Sequence, residues 1–303
     1  MLRVAASRAL EEGRWSGPIG RGLATTFARV AARTIARPLR LPKGIPVVCV
    51  GGATLGGSGK TPVAIAYAKK LAREGVRVVF VGHAYRATPK KARLVHADDP
   101  VTLVGDEAIL AARAGLEVVV APSRQLAVDH AVHLGAEAIV IDGPLTLRPE
   151  RPTFSILALD AARPWGSERV VPAGDLRAPR EDLARLANAV VYVDASAPTE
   201  LAVDLRGLRV GLVTAIARPR RLIDALERQG IVAAEFIHLP DHGGREASSR
   251  LLRRRKNSID AWVTTEKCAL HIGPLFQNER LVVLPSPQID VGALPTMARL
   301  ALP

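Results

Sequence analysis

The stretch VCVGGATLGGSGKTPVAIAYAKKLA, Val48 to Ala72, runs an apolar strand into glycines, a Lys-Thr pair and a helix. Holding a polyphosphate takes inward-pointing backbone N–H groups, close approach without a Cβ, and a helix N-terminus facing the charge. Gly56, Gly57 and Gly59 allow the approach, Thr54, Leu55 and Ser58 complete the loop, Lys60 can reach the β- and γ-phosphates, and the Thr61 hydroxyl suits Mg²⁺. The usual spacing asks for a glycine at position 54, and Thr54 stands there instead.

Such a loop usually works with a metal-binding acid at the end of a neighbouring strand. Asp142 closes AEAIVID and fits, while Asp160 and Asp194 end apolar runs of their own and compete for the role. Each of the three could equally be a turn or cap residue. Asp106 and Glu107 come just before a helix in VGDEAILAA, where Asp is a common N-cap and Glu complements the dipole. Asp241 and His242 share the turn LPDHGG.

The elements that must position these residues follow from the apolar runs. Strands are predicted at 45–50, 76–82, 116–121, 136–142, 154–160 and 188–194, with helices over 60–74 and about 124–134. This βαβ rhythm predicts an α/β fold, a P-loop NTPase-like, mostly parallel sheet with helices on both faces. Beyond a linker at 194–200, strands at 208–216, 232–239, 260–266 and 280–285 predict a smaller C-terminal α/β domain, with a helix at 219–229 and a basic helix at 245–256. The expected division is an arm over 1–44, a P-loop domain over 45–199 and the smaller domain over 200–303.

Apolar residues make up 48% of the chain and aromatics only 4%, so Val, Leu, Ile and Ala build the core. Cys49 and Cys268 have no metal-ligand spacing and read as residues of a reducing compartment. The net charge of +13 asks for an anionic partner, and residues 1–44 carry nine Arg or Lys against Glu11 and Glu12. Arg29, Arg33, Arg37 and Arg40 fit one helical face, with Pro38 able to end the helix before Arg40, and Leu23, Phe27, Ala31 and Ile35 fit another. A basic amphipathic helix of this kind suits an anionic membrane surface. The scarcity of aromatics and the arm-biased charge argue against nucleic acid.

Taken in order, these pieces resemble the tetraacyldisaccharide 4'-kinase family, the lipid A 4'-kinases of Gram-negative bacteria. The family's loop is similar to T-x-G-G-x-G-K-T-P, and Thr54 to Pro62 reads TLGGSGKTP, so Thr54 is what the family has in place of the first glycine. VGDEAILAARAGLEVVVAPSRQLA, VIDGPLTL, ERVVPAGDLRAPREDLARLANAVVYV, LPDHGG and VTTEKCAL match further family segments in the family's order. The resemblance implies transfer of the ATP γ-phosphoryl group, with Mg²⁺, to the 4'-hydroxyl of a tetraacyldisaccharide 1-phosphate. It implies Asp106 as the base, supported by His242, with Lys60 on the phosphates, Thr61 and Asp142 on the metal, and Tyr85, Arg124 and Glu107 on the substrate side. An anionic lipid disaccharide would then be the substrate, and the arm would hold the protein peripherally on the cytoplasmic face of the inner membrane. No protein partner is inferred.

Four departures stand out. The family's Ser-Arg-Gly-Tyr is Gly82-His83-Ala84-Tyr85, the first Asp of Asp-Asp-Gly-x-Gln is Ile141 and its Gln is Leu145, and the Asp of Thr-Thr-Glu-Lys-Asp is Cys268. The competing readings are a catalytically altered paralogue and a nucleotide-binding, membrane-associated switch without a sugar acceptor. A switch has no use for Asp106 with His242, or for Tyr85 and Arg124.

Overall fold

A computed structural model describes residues 10, 17–82, 84, 87–194, 204–216, 219–239, 258–276 and 279–301. The chain divides into two compact units, one of residues 9–193 together with 288–303, the other holding 194–287.

In the larger unit, helix α1 (Pro18–Ile35) is followed by β1 (Ala36–Pro38) and β2 (Val47–Gly52). Helix α2 (Lys60–Arg73), β3 (Val78–Val81), β4 (Arg93–Leu94), the single turn α3 (Val101–Val104), α4 (Asp106–Arg113) and β5 (Glu117–Val120) come next. Then follow α5 (Arg124–His133), β6 (Ala138–Gly143), β7 (Thr146–Arg148), β8 (Phe154–Asp160), α6 (Arg180–Leu186) and β9 (Ala189–Val193). Seven strands form a sheet in the order β4-β5-β3-β6-β2-β8-β9. All its pairings are parallel except β4 with β5.

Central parallel strands are covered on both faces, so they read as continuous apolar runs and not as alternations. Every residue of β2 is buried. Helix α5 sets Ala127, Val128 and Ala131 into the core that holds Cys49, Val79, Ile139 and Ile141. Helix α2 buries Val63, Ala64, Tyr67, Ala68 and Leu71. The sequence order of β2, β3, β5, β6 and β8 across the sheet makes the chain reverse direction of growth at β2 and β6. Such a switch point opens a crevice at the carboxyl ends of the strands.

The arm does not continue as one helix through Arg40. It ends at Ile35, and Ala36–Pro38 pairs in parallel with Thr146–Arg148, Arg37 opposite Leu147. Pro38 is the physical reason, since the residue before a proline is pushed from the helical to the extended region. The expected helical face therefore keeps only Arg29 and Arg33. Leu39 seals the junction, buried in the same core as Cys49, Ile141 and Leu147, a burial that stabilises by about 1.5–3 kcal/mol.

The smaller unit is a four-stranded parallel sheet of β10 (Val210–Thr214), β11 (Ala233–His238), β12 (Ala261–Thr265) and β13 (Leu281–Leu284), in the order β11-β10-β12-β13. Helices α7 (Arg220–Arg228) and α8 (Glu266–Ile272) accompany it. Trp262 is its largest buried side chain, and a Cβ on Gly211 would stand 2.6 Å from the Trp262 ring. The basic run at 245–256 lies outside the described residues.

Residues 288–303, which the sequence reading gave to the smaller domain, group with the larger unit. The short helix α9 (Met297–Leu300) is held there by Tyr67, whose hydroxyl donates to Pro295 O at 2.8 Å, and by Glu74, which accepts from Met297 N at 2.9 Å.

Candidate active site

Register builds the centre of the site. β2 and β6 pair Val50 with Asp142 and Gly51 with Gly143, so Asp142 leaves its strand beside the start of the glycine loop. Successive strand residues face opposite ways, and Ile141 accordingly enters the core while Asp142 meets the loop. A Cβ on Gly51 would stand 2.6 Å from Leu145 Cβ, so the turn after β6 folds against a bare backbone.

The loop is closed by its own side chains. Thr54 is buried, and its hydroxyl donates to Gly56 O at 2.7 Å. A first-position glycine would have left that carbonyl without this partner. Gly57 and Gly59 have φ of 72° and 76°, the left-handed region that favours glycine. Gly59 is also the N-cap of α2 and makes no side-chain cap, which leaves the first amides of α2 to an incoming group.

Four side chains meet at the mouth of β2 and β6. Thr61 Oγ1 donates to Asp142 Oδ2 at 2.6 Å. Lys60 Nζ lies 2.9 Å from Glu107 Oε1, 3.4 Å from Asp142 Oδ1 and 3.2 Å from Thr61 Oγ1. Burial pushes the Lys60 ammonium down, but Asp142 and Glu107 outweigh it and hold the group above its ordinary value. Burial raises the Asp142 carboxyl, with Lys60 and the Thr61 bond pulling against it and Glu107 reinforcing it.

Glu107 reaches Lys60 because α4 starts where the loop faces it. The N-cap of α4 is Gly105, at φ 90°, and not Asp106. The alternative reading of Asp106 as the cap therefore fails: Asp106 is the first helical residue, buried, and accepts from Glu107 N at 2.8 Å. A glycine can take the extended left-hand conformation that turns α3 into α4, which Asp adopts only at a cost. Of the competing acids, Asp160 accepts from Ala162 N at 3.1 Å and Asp194 is exposed. Asp142 is the strand-end acid bonded to Thr61.

Arg124 opens α5, its Nε buried without a hydrogen-bond partner, beside a cavity of about 430 Å³ lined by Gly82, Thr88, Pro122 and Ser123. Arg177, which no sequence signal singled out, donates to Thr54 O at 2.8 Å and to Leu55 O at 3.3 Å. It clamps the start of the loop from 123 positions away. It lies inside the family-like GDLRAP segment, which does not by itself mark the arginine. Tyr85 and His242 lie outside the described residues, as do His83 and Asp241.

Two hard oxygens 2.6 Å apart, from Thr61 and Asp142, suit an ion such as Mg²⁺, which is commonly held by one or two protein oxygens with phosphate and water filling the rest. Among the described residues no group of three His, Cys, Asp or Glu forms a separate metal cluster.

Residues 21–293 match the family model described as tetraacyldisaccharide-1-P 4'-kinase. The chain belongs to the tetraacyldisaccharide 4'-kinase family. It is 35% identical over 185 residues to proteins named tetraacyldisaccharide 4'-kinase from Brucella ovis and Brucella melitensis, covering 59% of this chain and 54% of theirs. The chain thus matches about half the length of these curated relatives. A solved LpxK from Aquifex aeolicus, in complex with ATP, superposes with a TM-score of 0.63 at 20% identity, over 96% of each chain. That likeness establishes the shared fold.

Within the family the departures acquire physical sense. Ile141 is wholly buried among Cys49, Val81 and Leu147. An acid pointing the same way would be desolvated there without a partner. Leu145 packs with Ala53, Leu157 and Leu176. Cys268 is buried, and its sulfur accepts from Ala215 N at 3.1 Å. None of these three replaces a member of the Lys60–Thr61–Asp142–Glu107 group.

Proposed function

We propose that this chain transfers the γ-phosphoryl group of ATP to the 4'-hydroxyl of a tetraacyldisaccharide 1-phosphate, a step of lipid A biosynthesis. The observation that carries the reading is the convergence of Lys60, Thr61, Asp142 and Glu107 on an uncapped helix start. Phosphoryl transfer needs little covalent chemistry from a protein and much positioning of charge. The amides of Gly56 to Thr61 hold the β- and γ-phosphates. Lys60 moves from Glu107 and Asp142 onto the γ-phosphoryl oxygens. Thr61 and Asp142 would hold Mg²⁺, which when bound would offset the phosphate charge.

The acceptor oxygen forms its bond to the γ-phosphorus as the bond to the ADP oxygen breaks. Asp106 takes the hydroxyl proton, and ADP leaves with the bridging oxygen. His242 keeps the supporting role that family resemblance gives it, and Tyr85, Arg124 and Glu107 remain on the substrate side.

The arm provides the membrane contact. Ile19, Leu23 and Phe27 recur every four residues on α1 and are 82%, 57% and 40% exposed. An exposed apolar stripe on a basic helix suits the headgroup boundary of the inner membrane's cytoplasmic face. Among the described residues no helix is long and apolar enough to span a bilayer. A peripheral attachment meets the acyl chains where they already are.

The test is direct. Purified protein with ATP, Mg²⁺ and a disaccharide 1-phosphate in detergent should yield a product phosphorylated at the 4' position. ATP binding without any acceptor turnover would favour the switch reading instead.

A further inference from the structure

Three guanidiniums share one neighbourhood at this site, and among the described residues Arg37, Arg124 and Arg177 make no ion pair. Arg124 lies against the turn after Asp142: a Cβ on Gly143 would stand 3.2 Å from its Nη2. Its Nε is buried and unpartnered. Arg177 is bound to the loop carbonyls of Thr54 and Leu55. Arg37 is exposed and sits on β1, held at that spot by pairing with β7. The junction is tied down further by Gln125, which accepts from Arg40 N at 2.8 Å and donates to Arg40 O at 3.2 Å.

The charges are close enough to oppose one another. Arg124 and Arg177 are both held below the usual arginine range, by burial first and by the Arg37 charge next, with Asp142 and Glu107 pulling the other way. Those two acids are already engaged by Lys60 and Thr61. A buried guanidinium nitrogen without a partner is costly. A phosphate oxygen supplies what is missing, because the planar fork of arginine matches phosphate in charge and geometry.

The nucleotide has its own cradle in the loop amides, Lys60 and the start of α2. Arg37, by contrast, follows the last residue of α1 by two positions, and α1 carries the exposed Ile19, Leu23 and Phe27. A group that reaches Arg37 arrives with whatever α1 lies on. Resting on the kinase reading, we propose that Arg37, with Arg124, binds a phosphate monoester of the lipid acceptor other than the one being made. Arg37 is then a specificity residue for anionic acceptors, and the β1–β7 pair fixes the arm's exit to the short strand that follows the one carrying Asp142.

The experiment uses the full chain in neutral detergent with two acceptors, the disaccharide 1-phosphate and the same disaccharide without that phosphate. Arg37→Gln should raise KM for the phosphorylated acceptor about tenfold or more, with kcat and the KM for ATP nearly unchanged. It should leave the unphosphorylated acceptor, already poor for the wild type, unaffected. Arg37→Lys should recover part of the loss. Equal losses on both acceptors would overturn the proposal in favour of arm docking, and a shifted KM for ATP in favour of the nucleotide. A loss seen only when an anionic phospholipid is added to the micelles would assign Arg37 to lipid headgroups instead. A wild type that neither binds nor turns over either acceptor sinks the kinase reading and this inference with it. An active wild type with an unaffected Arg37→Gln variant sinks the inference alone.

Discussion

The mostly parallel sheet of the larger unit and the parallel sheet of the smaller one end alike in outline and differ in what waits at the end. In the larger unit, buried β2 leads to α2 through a glycine loop, and α2 starts at Gly59 with no side-chain cap. In the smaller unit, β12 passes straight into α8, and the Thr265 hydroxyl accepts from Cys268 N at 3.3 Å, so that helix start is capped from within. Asp142, Thr61 and Lys60 gather at the first mouth. At the second, the Cys268 sulfur accepts from Ala215 N, with the Thr214 hydroxyl 3.5 Å away. A strand-to-helix junction in an α/β sheet is an offer of backbone amides. The residues at the junction decide whether the protein takes the offer itself or leaves it to an anion.

The largest break in this comparison is Lys60→Ala. Removing a charge preorganised for the transferring phosphoryl group should lower kcat by about 10³-fold. Lys60 is also the cation between Asp142 and Glu107, so the melting temperature should fall with its loss, and turnover is read per folded molecule. A variant with wild-type turnover would make the open mouth no different from the capped one.

Asp142→Asn comes next, with a loss of about 10²-fold in kcat, relieved in part by raised Mg²⁺. Asparagine keeps an acceptor for the Thr61 hydroxyl and removes a buried charge, so the fold should not be weakened. The pH dependence follows. Burial raises the folded Asp142 pKa above its unfolded value, so the native state binds the extra proton. This group's contribution to stability is present at low pH and is lost as pH rises through the folded value. Metal binding needs the ionised form, so turnover should climb over the same window. Opposite slopes in a melting series and a rate series check both signs, and parallel slopes would contradict them.

Arg29→Gln with Arg33→Gln tests the arm. Binding to anionic vesicles should weaken by about 1 kcal/mol per charge, less at high salt because screening tightens. Turnover in neutral detergent should stay unchanged.

The smallest effect belongs to the capped mouth. Thr265→Ala should destabilise by about 1 kcal/mol, read by chemical denaturation, and leave turnover per folded molecule as it was.

Much of this was legible in the chain itself. The strands read at 154–160 and 136–142 announce themselves as apolar runs, and Gly-Lys-Thr after such a run marks the loop. The role of Thr54 took the family resemblance to read, and its bond to Gly56 O gives the physical reason. What escaped was set by tertiary contact. Three residues at 36–38 carry no strand pattern, and only the partner at 146–148 makes them one. Arg177 acts through loop carbonyls over a hundred positions away, a bond no local pattern encodes. Whether Asp106 caps α4 or opens it stays open in the sequence because Asp and Gly both suit helix starts, and only the backbone angle at Gly105 separates them.

The central claim is that the mouth of β2 and β6 is the nucleotide site and the mouth of β12 is not. A crystal structure of the full chain with Mg²⁺ and a non-hydrolysable ATP analogue tests it most directly. The phosphates should lie on the amides of Gly56 to Thr61, with the metal on Thr61 Oγ1 and Asp142, directly or through water. A metal on Asp160 or Asp194, or phosphates bound away from the loop, would contradict it.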